Sequence, residues 1–273
     1  MQGFTIDGEV LFENNKGLIK LDKMTLDPEV NIGSGLRVMD HTGPVTLNQV
    51  RVVDARNTGV YIGNKDLPVA AMGAVTISNL TILGTVVDSG LPSKGNFALY
   101  VRSNSPITIN GLFIKETQGV GVLIGHGIGA VTMKNGYIGF SRTYNSTIIG
   151  DGLRLLEGSE IVGAITLDNV RLYDNEANGI RIETASAVKL NNVYSSGNSG
   201  GYGLEVGGTV NSLTISNSQF NWNNFGGVHA LIRGPVSISN TEISGNWGED
   251  FNEYGDDATG LYLDNRYLYG AAV

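Results

Sequence analysis

Gly179-Ile180-Arg181-Ile182 is separated by five residues from Val188-Lys189-Leu190, Asn192 follows, and the order begins again at Gly203-Leu204-Glu205-Val206. In each apolar stretch the aliphatic residues stand two apart with a polar residue between them. That is the period-2 pattern of a strand with one buried face. Asparagine hydrogen-bonds locally and tolerates a left-handed backbone, so Asn192 suits a sharp bend between two strands.

Working outward, a small residue followed by aliphatic-x-aliphatic also begins at Gly35, Gly59, Ala98, Gly121, Gly152, Gly227 and Gly260. Four of the eight gaps between successive starts are 23 or 24 residues and the others are longer, so a basal unit of that size carries loop insertions. The second stretch recurs as Val45-Thr46-Leu47, Val75-Thr76-Ile77, Ile107-Thr108-Ile109, Val131-Thr132-Met133, Ile165-Thr166-Leu167, Leu213-Thr214-Ile215 and Val236-Ser237-Ile238. Asn79, Asn135, Asn169, Asn217 and Asn240 hold the corner after it, with Gln49 and Gly111 in the remaining units. Stacked at one corner, these amides can form a ladder along the repeat axis. A third short strand follows, as in Val50-Arg51-Val52, Leu80-Thr81-Ile82 and Val170-Arg171-Leu172.

Three short strands per unit, stacked about 4.8 Å apart, predict an all-β solenoid of three parallel sheets around an apolar core. An antiparallel sandwich also uses short strands and frequent turns. The fixed three-part order with its asparagine corner favours the solenoid. Residues 1–34 fit the register less well and are expected to form an irregular first coil or N-terminal cap. Residues 35–273 then hold about nine rungs, the last begun at Gly260 and incomplete at Val273. An open solenoid end templates association. The expectation is end-to-end self-association, or stacking on adjoining segments.

Composition narrows the function classes. Of 273 residues, 41% are hydrophobic and 16% charged, and 18 Lys and Arg face 26 Asp and Glu for a net charge of −8. Phosphate recognition needs clustered cations, so no nucleic-acid partner is expected. There is no cysteine, which removes disulfides and thiolate chemistry. No apolar run approaches the roughly 20 residues that span a bilayer, and residues 1–30 lack the pattern of a secretory signal.

The Gly-aliphatic-x-aliphatic strand, the Val-Thr-aliphatic-x-Asn strand and the asparagine corner resemble the right-handed parallel β-helix repeat proteins, over roughly residues 35–273. That superfamily includes pectate-lyase-like enzymes, phage tailspikes and surface adhesins. The resemblance implies a single-stranded right-handed parallel β-helix and an extracellular or cell-surface location. It leaves function open, because one architecture hosts lyases, hydrolases, esterases and inert stalks.

Outward residues of the first strand form one column: Arg37, Tyr61, Tyr100, Leu123, Arg154, Arg181, Glu205, His229 and Tyr262. With Glu183, the residues Arg154, Arg181, Glu205 and His229 fall on four successive rungs. In pectate-lyase-like enzymes this face carries the sugar cleft, so these five are the candidate lyase set, and Tyr61, Tyr100, Arg154 and Arg181 the candidate sugar contacts. The plainer reading is a solvated face whose opposite charges pair across rungs. Gly125-His126-Gly127 and Arg181-Ile182-Glu183 invite comparison with polygalacturonases. The carboxylates of that family's Asn-Thr-Asp and Asp-Asp motifs have no counterpart upstream of His126, so no inverting glycosidase mechanism is assigned.

No cofactor is expected beyond a calcium candidate. Glu249, Asp250, Glu253, Asp256 and Asp257 offer five carboxylates within nine residues, though without a known calcium-loop spacing, and a solvated acidic loop is the plainer reading. The threonine rank from Thr46 to Thr214 is interrupted by Lys189 and is a poor match to an ice lattice. Trp222, Trp247, Tyr144, Tyr254 and Tyr262 are aromatics that can stack on sugars or simply pack. Two functions follow: a structural or adhesive segment of an extracellular surface or filament assembly, and, as the alternative, a polysaccharide-active enzyme, a uronate lyase before a glycoside hydrolase.

Overall fold

The computed structural model describes residues 4–28, 33–63, 72–86, 96–125, 129–143, 150–155, 163–247 and 260–264. Among these residues every regular element is a strand, and every strand pairing is parallel. The first segments of the rungs stack into a 10-stranded sheet running from Val10–Glu13 through Ile180–Ala185 to Leu261–Asp264. The second and third segments build a 12-stranded sheet. The chain is a parallel β-helix. Residues 10–13 and 19–26 already stand in register on the rung that follows, with Leu11 beside Arg37 and Lys20 beside Thr46.

Up to Ile165–Tyr173 the second and third segments of a rung run as one bent strand; from Val188 onward they are separate strands, Val188–Asn191 and Tyr194–Ser196, then Leu213–Ser216 and Gln219–Asn221, each pairing in parallel with its counterpart on the next rung. The corner between the two segments is left-handed. Lys23, Gln49, Asn79, Gly111, Asn135, Asn169, Asn192, Asn217 and Asn240 all have positive φ. At Gln49 the left-handed residue turns the chain within one strand, Val45–Arg56, whereas at Asn192 the strand is interrupted and the Val193 N–H donates to Ser218 Oγ instead. Burial alternates along Val45–Arg56 and slips by one residue at the bend, with Asn48 and Gln49 both outward and Val50 inward.

A second left-handed column lies five residues further on, at Asp54, Gly84, Glu116, Phe140, Asp174, Gly197, Trp222 and Gly245. Side chains of this column lean onto the next rung. A Cβ on Gly245 would lie 2.8 Å from the Trp222 ring. The residue after each of these bends points inward: Ala55, Thr85, Thr117 and Ser141 in the first half of the solenoid, then Asn175, Asn198, Asn223 and Asn246. Asn175, Asn198 and Asn223 are fully buried. They form an internal amide ladder in which Asn175 Nδ2 donates to Asn198 Oδ1 (3.0 Å), Asn198 Nδ2 to Asn223 Oδ1 (2.6 Å) and Asn223 Nδ2 to Asn246 Oδ1 (3.0 Å).

Between the corners the core is aliphatic. Ile180, Ile182, Val188 and Val193 of one rung have no exposed surface, and Leu190 has 1%. Each fully buried side chain of this kind contributes about 1.5–3 kcal/mol of transfer free energy. The signature glycine admits the neighbouring rung. A Cβ on Gly152 would lie 2.8 Å from both Asn175 Nδ2 and the Gly179 carbonyl oxygen.

Candidate functional site

The ladder aligns the outward column of the first segment as the repeat requires. Arg154 pairs in register with Arg181, Arg181 with Glu205, Glu205 with His229, and His229 with Tyr262. The register shifts between Ile182 and Thr184, and Glu183 sits in that irregularity beside both arginines. The column is not one open groove. Leu123, in register between Tyr100 and Arg154, is only 4% exposed. The face is thereby divided into an aromatic pair on one side and a charged group on the other.

The charged group is a ring of side chains over three rungs. Arg154 Nη2 lies 3.4 Å from Glu183 Oε1, and Arg181 Nε lies 3.4 Å from both Glu183 Oε1 and Glu205 Oε2. Asn178 Nδ2 donates to Glu205 Oε2 at 3.0 Å and to Asp151 Oδ1 at 3.2 Å, and the Asn178 backbone N–H also donates to Asp151 Oδ1 at 3.0 Å. Asp151 Oδ2 lies 3.9 Å from Arg154 Nε, beyond hydrogen-bond reach, and both atoms are buried. Asn178 Oδ1 in turn accepts from the backbone N–H of Tyr202 at 2.8 Å. One amide thus fixes the rungs on both sides of it.

Asp151 and Asn178 are the members that the repeat motif does not single out. Each immediately precedes a signature glycine, a position where polar residues in successive rungs were the available signal. Asp151 is fully buried. Burial pushes its carboxyl above the ordinary value, against the opposing pull of the Asn178 hydrogen bonds and of Arg154 and Arg181. Glu183 and Glu205 stand against the two guanidiniums of Arg154 and Arg181.

His229 stands next to the ring. Its imidazole lies between Tyr202 (centroids 4.9 Å apart, planes at 19°) and Tyr262 (5.0 Å, 19°). Its Nδ1 is buried without a hydrogen-bond partner among the described residues. At the other end of the face Tyr61 and Tyr100 stack at 4.7 Å and 13°, and Phe97 tilts against Tyr100 at 5.4 Å. Nearly parallel rings this close lie face to face, because coplanar rings side by side would overlap. The ring faces are turned toward each other, and the Tyr100 hydroxyl is hydrogen-bonded to Arg102 and largely withdrawn from solvent.

The structure brings Arg154, Arg181, Glu183 and Glu205 into one network with His229 beside it, and sets Tyr61 and Tyr100 apart from them. His126, Tyr144, Tyr254 and the candidate calcium residues Glu249, Asp250, Glu253, Asp256 and Asp257 lie outside the described residues. Trp222 and Trp247 are 62% and 66% exposed and belong to the third-segment side, away from the ring. The threonine rank is in register from Thr46 through Thr166, with Lys189 stacked between Thr166 and Thr214.

Residues 151–268 match the family model described as a right handed beta helix region. This stretch holds the internal asparagine ladder and the whole charged ring. Neither a curated protein nor a solved structure matches the chain.

Proposed function

We propose that this right-handed β-helix serves as a structural or adhesive segment of an extracellular surface or filament assembly, stacking end to end with identical or adjoining segments. The observation that carries the reading is the charged ring. A lyase needs a cation free to neutralise a uronate carboxylate and a base free to take the α-proton. Here Arg181 is committed to Glu183 and Glu205, and Arg154 to Glu183. Those pairs tie three rungs together. The stacked tyrosines extend the same device along the face, each ring gripping the next rung.

A polysaccharide lyase is the second reading, favoured by one feature. The unpartnered Nδ1 of His229 lies one rung from Glu205 on the face that bears both arginines.

Incubating the chain with uronate polymers, with and without calcium, separates the two. The expected result is no unsaturated product under either condition, with Arg181→Ala lowering the melting temperature and nothing else. Product formation that Arg181→Ala abolishes would overturn the structural reading. Electron microscopy tests the assembly directly: linear stacks are expected, and discrete single rods at all concentrations would count against it.

A further inference from the structure

The chain has two tryptophans, and they stand on adjacent rungs at the same corner. Trp222 occupies the second left-handed column, between Gly197 and Gly245. The Trp247 N–H donates to the Asn223 carbonyl at 2.9 Å, which sets Trp247 one rung on and two residues past Gly245. Tryptophan is highly buried on average, yet these two are 62% and 66% exposed. The Trp222 ring has a fixed seat. A Cβ on Gly245 would lie 2.8, 2.9 and 2.9 Å from Cε3, Cδ2 and Cζ3 of the indole. A point in the ring plane cannot be so nearly equidistant from three successive ring atoms, so the glycine lies against one face of the ring. The other face is left open, because Gly197 on the preceding rung has no side chain to cover it. The Asp174 carboxylate leans over Gly197 from one rung further back. Ser199, Asn224 and Trp247 form a second outward column beside these residues, tied by backbone bonds from Ser199 to Asn175 and from Asn224 to Asn198.

We infer that Trp222, Trp247, Asp174 and Asn224 form a binding site for a neutral polysaccharide, with sugar rings lying on the two indoles. The site rests on the adhesive half of the proposed function and names what that surface adheres to. Three observations select this ligand. The first is the open face. The C–H groups on one side of a pyranose pack on an aromatic face while its hydroxyls stay at the rim, and an indole, apolar in its body with a polar N–H, suits such a half-wet contact. The second is the frame. The rings are bordered by the Ser199 hydroxyl, the Asn224 amide and the Asp174 carboxylate, so they are separate platforms rather than the contiguous apolar centre of a protein interface. The Asp174 carboxylate and the Asn224 amide make no side-chain hydrogen bond among the described residues, which leaves acceptors and a donor for sugar hydroxyls. The third is charge. Nearby Arg142 is held by Glu176 at 3.0 Å, and Arg171 lies 5.5 Å over the Tyr194 ring. On a chain of net charge −8 the site therefore offers a carboxylate and no uncommitted cation among the described residues. A uronate or a phosphate is repelled there, and a neutral sugar is not.

Because the chain has no other tryptophan, its tryptophan emission reports on this site alone. The test titrates the full chain with neutral hexasaccharides of β-linked glucose, mannose, galactose and N-acetylglucosamine, and with hexagalacturonate and choline as charged comparisons, each to about 10 mM, above the dissociation constant of a millimolar site. A saturable emission shift with at least one neutral sugar is expected, and none with either charged probe. Trp222→Asn keeps a residue that accepts the left-handed backbone, and Trp247→Ser repeats Ser199 of the same column. Each should weaken binding about tenfold by calorimetry. Asp174→Asn leaves both rings in place and should weaken it by a smaller factor with the melting temperature unchanged. No emission change with any neutral sugar overturns the inference, and so does full affinity in both tryptophan variants. A stronger response to choline would overturn it in favour of a cation on the indole faces, and a stronger response to hexagalacturonate in favour of an anionic glycan. Assembly is read separately: glycan binding by single rods would support this site while counting against stacking, and stacks that bind no neutral sugar would overturn the site while leaving the structural reading in place.

Discussion

Asp151 shows how one side chain can be dictated by its neighbours in the solenoid rather than by its own segment. Its Oδ1 accepts two hydrogen bonds from Asn178 of the following rung, and burial raises its pKa. The sign of the consequence is definite. A carboxyl whose folded pKa exceeds its unfolded value of about 3.9 stabilises the fold while neutral, at acid pH. That contribution is lost as pH rises above about 4 and through the raised value. Asp151→Asn preserves shape and keeps an acceptor for Asn178 without the ionisation. The variant should therefore melt with wild type near pH 3.5 and above it at pH 7, the difference growing across the interval. Thermal melts of both proteins over that range check this. A variant less stable at every pH would mean that Asp151 is held ionised by Arg154.

At the scale of the element, the rung is the unit, and it is defined by a hydrogen-bonded register rather than by a closed local structure. The exposed corner ladder illustrates how rungs differ. Asn169 Nδ2 donates to Asn135 Oδ1 and Asn192 Nδ2 to Asn169 Oδ1, but Asn217 turns to Asn191, and Asn135 turns to Asn110 because Gly111 has no side chain. The backbone register persists through each of these exchanges. Removal of one whole unit, Gly203 to Gly226, would therefore bring Gly227 into the place of Gly203 and keep every strand in phase. That shortened chain is expected to fold, with a β-rich spectrum and a denaturant m value lower by about a tenth, in proportion to surface buried. Removing only the twelve residues Gly203 to Thr214 would put a second segment where a first belongs, and cooperative unfolding should be lost. Equal behaviour of the two deletions would contradict the rung as unit.

Over the whole molecule, each rung touches only its neighbours, so stability is a sum of rung and interface contributions. The burial pattern already shows the gradient. Inward residues of Ile165–Tyr173 and Val188–Asn191 are buried, while those of Val10–Glu13, Val236–Ser239 and Leu261–Asp264 are at most half-buried. Hydrogen exchange followed by mass spectrometry, on the chain diluted until the stacks separate, should find the slowest amides in the middle rungs, with protection falling toward residues 10–22 and 236–247. At concentrations where the chains stack, the end rungs should gain protection, and ends equally labile at every concentration would contradict the stacking.

The amino-acid sequence by itself determined the repeat, its register and its first corner. Those depend on alternation within a few residues and on which residue types accept a left-handed backbone. Thus Arg154, Arg181, Glu205 and His229 could be placed in one column, and Asn169 and Asn192 at one bend. Only the tertiary structure decided the rest. A second left-handed residue five positions later carries no uniform residue type, since Asp54, Phe140 and Trp222 serve there as well as Gly84. Without it the inward direction of Asn175 and Asn198 is invisible. The ring around Asp151 joins residues 24 to 29 positions apart across rungs only when loops of unequal length bring their rungs together, and whether an outward arginine faces solvent or a carboxylate depends on that stacking. The periodicity is a local property of the chain, whereas the pairing of charges and rings is a property of neighbouring rungs.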